Sequence, residues 1–130
     1  MTTSTEFHSA MTDAINEEHS SSYGVMRDVI RCNDGFNISI QCGSGLYCNP
    51  REGDGRESVR YMSFELGYPS TDKLPSNIKD LAEDHNDYTR TVYGYIIIRD
   101  IIEMIDMHGG LKGSGWSFDI PPGDCILDLL

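Results

Sequence analysis

Basic residues are scarce in this chain. Its 130 residues carry 10 Lys and Arg against 21 Asp and Glu, a net charge of −11. The excess is general: residues 1–60 hold nine acids and five bases, residues 61–130 twelve and five. A surface of this kind repels phosphate, which argues against direct nucleic-acid binding and against an anionic membrane as partner. Long apolar runs are missing as well. The longest, Tyr95-Ile96-Ile97-Ile98, falls far short of the ~20 residues a bilayer span requires. The stretch Met1-Thr2-Thr3-Ser4-Thr5-Glu6 lacks the basic and apolar regions of a signal peptide. The expected location is therefore cytoplasmic, where thiols stay reduced.

Motifs that carry chemistry are equally thin. The cysteines stand at positions 32, 42, 48 and 125 with no C-x-x-C pair, and the four histidines form no H-x-x-x-H. The spacings of a zinc site are absent, and Cys32 and Cys42 fall on an apolar face where a thiol acts as a small hydrophobe. Gly43-Ser44-Gly45 and Gly113-Ser114-Gly115 are too short for phosphate-binding fingerprints and read as turns. A nucleophilic site would have to join Cys48 to His85 or His108, and no glycine-flanked nucleophile turn marks one. His108, directly before Gly109, reads as a helix-terminal residue facing the dipole. Neither metal nor cofactor is expected, and the chain reads as a non-enzyme.

Periodicity is what the chain does have. Residues 4–19 read as a helix, capped by Ser4, with Phe7, Met11, Ala14 and Ile15 on one stripe. From Tyr23 the period becomes two, giving a β-hairpin over 24–42. A two-residue Asp34-Gly35 loop would set Ile38 opposite Arg31. A three-residue Asn33-Asp34-Gly35 loop instead gathers Met26, Ile30, Cys32, Phe36, Ile38, Ile40 and Cys42 on the core face, and is preferred. Leu46-Tyr47-Cys48 begins a short third strand, and 49–55 is an exposed loop. Residues 58–66 alternate, with Met62, Phe64 and Leu66 on one side and Ser63 and Glu65 on the other. A short helix over 77–84 and a strand over 89–95 follow. Residues 97–108 form a second long helix with Ile98, Ile101, Ile102 and Ile105 buried, stopped by Gly109-Gly110. Residues 116–120 and 125–130 read as two short strands. The whole is a single α+β domain, 1–130: an antiparallel meander with an N-terminal helix and a C-terminal-half helix packed on it.

Two acidic clusters stand out. Asp80, Glu83, Asp84 and Asp87 crowd into eight residues with no base among them, and Asp100, Glu103 and Asp106 lie one helical turn apart. Carboxylates spaced in this way can imitate the phosphates of a nucleic-acid strand and occupy a surface of Lys and Arg. Residues 49–56 would add neutral and basic contacts at the rim. The plainer reading is a solvated face that keeps the protein soluble.

The segment around Ile30-Arg31-Cys32-Asn33-Asp34-Gly35-Phe36, running to Gln41, resembles small acidic proteins of bacteriophages and related mobile elements. So do Tyr47-Cys48-Asn49-Pro50-Arg51, Thr91-Val92-Tyr93-Gly94-Tyr95-Ile96 and the helix end His108-Gly109-Gly110. That resemblance implies inhibition of a host defence complex by direct binding, as anti-CRISPR proteins do, and assigns no functional residue. The expectation is an acidic inhibitor that binds a basic, nucleic-acid-handling host protein such as a CRISPR-Cas effector. The competing readings are a small phage enzyme modifying a host factor, and a structural or regulatory phage protein.

Overall fold

The computed structural model describes residues 1–113. The strands expected over 116–120 and 125–130 lie outside the described residues. Four antiparallel strands form one sheet in chain order: β1 (Ile30–Arg31), β2 (Asn37–Gln41), β3 (Ser63–Gly67) and β4 (Val92–Ile97). Three helices accompany them: α1 (Ser4–Asp13), the single turn α2 (Ser76–Lys79) and α3 (Ile98–Met107). This is the α+β meander expected from the pattern, with its core between the sheet and the two longer helices. Phe7 of α1 meets Phe64 of β3 edge to face, ring centroids 5.4 Å apart. Ile101, Met104 and Ile105 bring α3 to the same cluster.

The hairpin has the three-residue loop. Ile30 pairs with Ile38, the Cys32 N–H donates to the Phe36 carbonyl, and Gly35 takes φ 95°. That left-handed conformation is open to glycine at little cost, which is why this position ends the turn. One hairpin position differs from expectation: Met26 is 47% exposed, and Val25 and Arg27 are buried in its place. The cause is pairing on the other edge. Asn16 N–H donates to the Met26 carbonyl and Asp28 N–H to the Ala14 carbonyl, so an extra residue between Arg27 and Ile30 shifts the alternation.

The same pairing corrects the first helix. It ends at Asp13 rather than at residue 19, because residues 14–16 are drawn into bonds with 26–28, and Glu17–His19 forms a separate 3-10 turn. Its cap is Thr3 rather than Ser4. The Thr3 hydroxyl accepts from Glu6 N–H and the Glu6 carboxylate accepts from Thr3 N–H, a reciprocal capping box.

Other expectations change where distant segments intervene. Residues 46–48 form no strand; Asn49 bridges Ser63, and Ser58–Arg60 is a 3-10 turn. That cover buries Ser63 and leaves Met62 70% exposed, reversing the expected sides there. In α3 the buried stripe is Ile101, Met104, Ile105 and His108, while Ile98 and Ile102 are half-buried.

Arg27 is 3% exposed and has no carboxylate partner among its contacts. Its Nε donates to the Met11 carbonyl (2.6 Å) and its Nη2 to the Arg56 carbonyl (3.1 Å), with Nη1 3.8 Å from Cys42 Sγ. Its own backbone N–H and carbonyl are taken by the Gln41 side-chain amide, at 3.0 and 2.8 Å.

Two stability outcomes follow from this packing. Ile101→Ala is expected to cost about 2–5 kcal/mol, and Ile102→Ala, from a half-buried site, about 1 kcal/mol. Arg27→Ala strands two carbonyls and should cost about 2–5 kcal/mol. Urea midpoints at fixed slope measure all three; an Ile102 loss equal to that of Ile101 would contradict the stripe given above.

Candidate functional site

The first acidic cluster does not lie on one helical face. The helix expected over 77–84 is only the turn Ser76–Lys79, because Ala82 bridges Tyr93 and Glu83 N–H donates to the Val92 carbonyl at 3.0 Å. Asp84 N–H reaches the Thr91 hydroxyl at 2.9 Å. These bonds lay residues 82–84 along the free edge of β4. Asp80, Glu83, Asp84 and Asp87 are all exposed there. Two of them also build turns. Asp84 Oδ1 accepts from Asn86 N–H (2.8 Å), and Asp87 Oδ1 accepts from the Thr89 hydroxyl and N–H (2.8 and 3.0 Å). Those Thr89 bonds, with Arg90 nearby, hold the Asp87 carboxyl below the usual range.

On α3 the second cluster divides. Glu103 is exposed, whereas Asp100 and Asp106 are half-buried. Asp100 lies 3.6 Å from Arg99, and Asp106 accepts the Thr2 N–H at 2.9 Å, tying α1 to α3. Asp106 is therefore structural as well as acidic. In the 49–56 loop, the Tyr61 hydroxyl donates to the Glu52 carbonyl and accepts from Gly55 N–H, and Arg56 pairs with Glu17 at 2.7 Å. That loop is pinned to the body of the fold.

A second surface on β4 was not among the expected site residues. Phe64 pairs with Ile96 and Leu66 with Tyr93, so Gly94 and Tyr95 together stand opposite Glu65 in a bulge. Tyr95 takes φ 61° there. Tyr95 is 45% exposed, and its ring sits 6.0 Å from that of Tyr47, a residue 38% exposed. Tyr95 N–H donates to the Tyr47 carbonyl (2.9 Å) and Tyr47 N–H to Glu65 Oε1 (3.0 Å). The Arg51 guanidinium lies over the Tyr47 ring, 5.0 Å from its centroid. A Cβ at position 94 would lie 3.0 Å from Tyr47 Cβ, so a larger residue there would push Tyr47 aside by a few tenths of an ångström. An isolated glycine inside a strand pattern, Tyr93-Gly94-Tyr95, is the signal that could have located the bulge.

The residues weighed for catalysis are placed apart in their contacts. Cys48 Sγ lies against the Gly43 and Pro50 carbonyls at 3.2 and 3.4 Å. His85 is exposed beside Tyr88, and His108 is buried against Asp34 and Lys73. Burial pushes the Cys32 thiol up to about 12 and the Cys42 thiol up to about 11, far from a reactive thiolate. Among the described residues no group of three or more His, Cys, Asp or Glu is placed to hold a metal ion. No helix among them is long and apolar enough to cross a membrane.

His108 does more than end its helix. Its ring stacks on Phe36 at 3.8 Å, Nδ1 lies 2.7 Å from Asp34 Oδ2, and Nε2 lies 2.7 Å from the Lys73 carbonyl. Both partners are acceptors, so the ring donates to both at once only when each nitrogen carries a proton. The Phe36 N–H and then His108 hold the Asp34 carboxyl below the ordinary aspartate range. A carboxyl so depressed adds stability above the unfolded value of ~3.9 and loses it as pH falls through the folded value. The melting temperature of the parent should therefore exceed that of Asp34→Asn near pH ~6, and the gap should narrow progressively as pH falls below the unfolded value of ~3.9. A gap that persists undiminished in acid would rule out this contribution.

Comparison with known proteins leaves the site to be read from its own chemistry: no family model matches the chain, and no curated protein or solved structure matches it.

Proposed function

We propose that this chain is a phage-encoded, non-enzymatic inhibitor that acts in the host cytoplasm. It binds the basic, nucleic-acid-handling surface of a host defence protein, and a CRISPR-Cas effector is the most concrete target. The observation that carries the reading is the exposed acidic segment Asp80, Glu83, Asp84 and Asp87, bonded along the edge of β4 in a chain of charge −11. Turn bonds at Asp84 and Asp87 hold two of these carboxylates in fixed places, which lowers the entropy lost when a row of Lys and Arg engages them. Asp100 and Glu103 extend the negative surface; Asp106 serves it through charge while bonded to Thr2.

A panel of purified, guide-loaded Cas effectors tests the proposal. The protein is expected to displace bound target DNA from its effector, with potency falling at least about tenfold between ~50 and ~300 mM sodium chloride. The variant Asp80→Lys, Glu83→Lys, Asp84→Asn, Asp87→Asn keeps acceptors at both turns and should lose most of that activity. Asp100→Lys with Glu103→Lys reads the α3 contribution separately. Displacement that ignores both salt and these substitutions would leave the carboxylates as a solvated surface only.

A further inference from the structure

The bulge in β4 is expensive. A tyrosine at φ 61° is in a region that side chains other than glycine, asparagine and aspartate rarely adopt, and such outliers concentrate where a surface has a task. Here the distortion turns the Tyr95 ring outward beside Tyr47, with Ile97, 39% exposed, two residues on along the same face. Both tyrosine backbones are fixed, one through the Tyr47 carbonyl and the other through Glu65. The result is a preorganised aromatic platform at the surface of an otherwise acidic protein.

We propose that the Tyr47–Tyr95 platform is a docking centre for an arginine side chain on a basic protein partner. The assignment rests on the binding role proposed above and names the residues that would anchor it. Three observations support it. The chain's own Arg51 holds its guanidinium over the Tyr47 ring at 5.0 Å, an internal example of the contact, and the incoming arginine takes the Tyr95 ring 6.0 Å away. The acidic segment on the edge of the same strand, Ala82 and Glu83 bonded to Tyr93 and Val92, supplies the long-range attraction that brings a cationic surface here. Rigid tyrosines beside an arginine also match the composition of the residues that carry most binding energy in protein interfaces. A planar guanidinium stacks on such rings where an ammonium does not, so arginine is favoured over lysine. Single-stranded nucleic acid also stacks on tyrosines, but the charge of −11 opposes its approach.

The test uses the full chain and three probes: an unstructured glycine-serine peptide carrying several arginines, its lysine counterpart, and oligothymidylate. Amide and ring resonances are followed by NMR at low salt. The arginine peptide is expected to shift Tyr47, Tyr95 and Ile97 and to bind about threefold or more tighter than the lysine peptide. Tyr95→Phe should keep that preference. Tyr95→Gly, which suits the backbone angle and so preserves the fold, should abolish it. Equal binding of the two peptides, an unchanged preference in Tyr95→Gly, or shifts at the platform from oligothymidylate alone would overturn the proposal. The acidic-segment variant separates the two readings. If it loses peptide binding while Tyr95→Gly retains the arginine preference, the platform fails and the acidic surface stands. If the preference survives in that variant and vanishes in Tyr95→Gly, the platform stands and the acidic segment does not carry the contact.

Discussion

One buried cation organises much of this molecule. The Arg27 guanidinium sits almost wholly out of water and is satisfied by backbone carbonyls of Met11 and Arg56, not by a carboxylate. Removing such a charge from water is costly unless each donor finds an acceptor, so the geometry around it is strongly determined. The Met11 carbonyl fixes α1 against the hairpin, and the Arg56 carbonyl fixes the end of the 49–56 loop. The Gln41 amide, bonded to both backbone groups of Arg27, substitutes for a ladder partner where β1 has not yet begun. An acidic protein here uses one of its few arginines as an internal tie.

A second tie acts at the opposite end of the hairpin. The His108 ring stacks on Phe36 and meets Asp34 and the Lys73 carbonyl, while Asn33 and Asp34 N–H groups donate to the Gly110 and His108 carbonyls. The hairpin turn therefore receives the C-terminal end of α3, and Thr2 with Asp106 joins α1 to the same helix. With α1 and α3 held in this way, the inner face of the sheet is committed to the core. The tyrosine pair and the acidic segment lie away from that core, on the outer side and free edge of β4.

The parts legible from sequence are those in which local pattern and burial agree. A one-residue slip in the hairpin would have moved Ile38 and Ile40 into solvent, so its register was readable. The span of α3 was readable from its isoleucines and Gly109-Gly110, although anchoring the stripe on Ile98 placed Ile102 inward and passed over Met104 and His108. Errors arose where a distant segment competes for the backbone. Residues 14–16 leave the helix for 26–28, Met26 yields to Arg27, and Asn49 covers Ser63 at the expense of Met62. The same holds for the site. The exposure of Asp80, Glu83, Asp84 and Asp87 followed from composition, but their arrangement did not, since pairing with β4 replaced the helix that would have aligned them. Tyr95 was hidden because a strand pattern gives no warning of a positive φ beyond the neighbouring glycine.

Charge and platform contribute differently to recognition. Exposed carboxylates raise the rate of encounter with a basic surface and reject acidic ones, but each such pair adds little affinity in water and is screened by salt. A tight complex needs a dry centre as well, where apolar area is removed from solvent and few rotamers are lost. On this molecule the exposed large apolar side chains are mostly scattered, as on any soluble protein. Tyr47 and Tyr95 are exposed tyrosines that the backbone brings into ring contact, at the cost of a strained residue and with Gly94 packed closely against Tyr47. The extra residue of the bulge also serves the core, since it lets Tyr93 and Ile96, three apart, both face inward. The same distortion presents Tyr95 outward. In the proposed interaction, the acidic edge would set which surfaces approach, and the tyrosines which side chain is held.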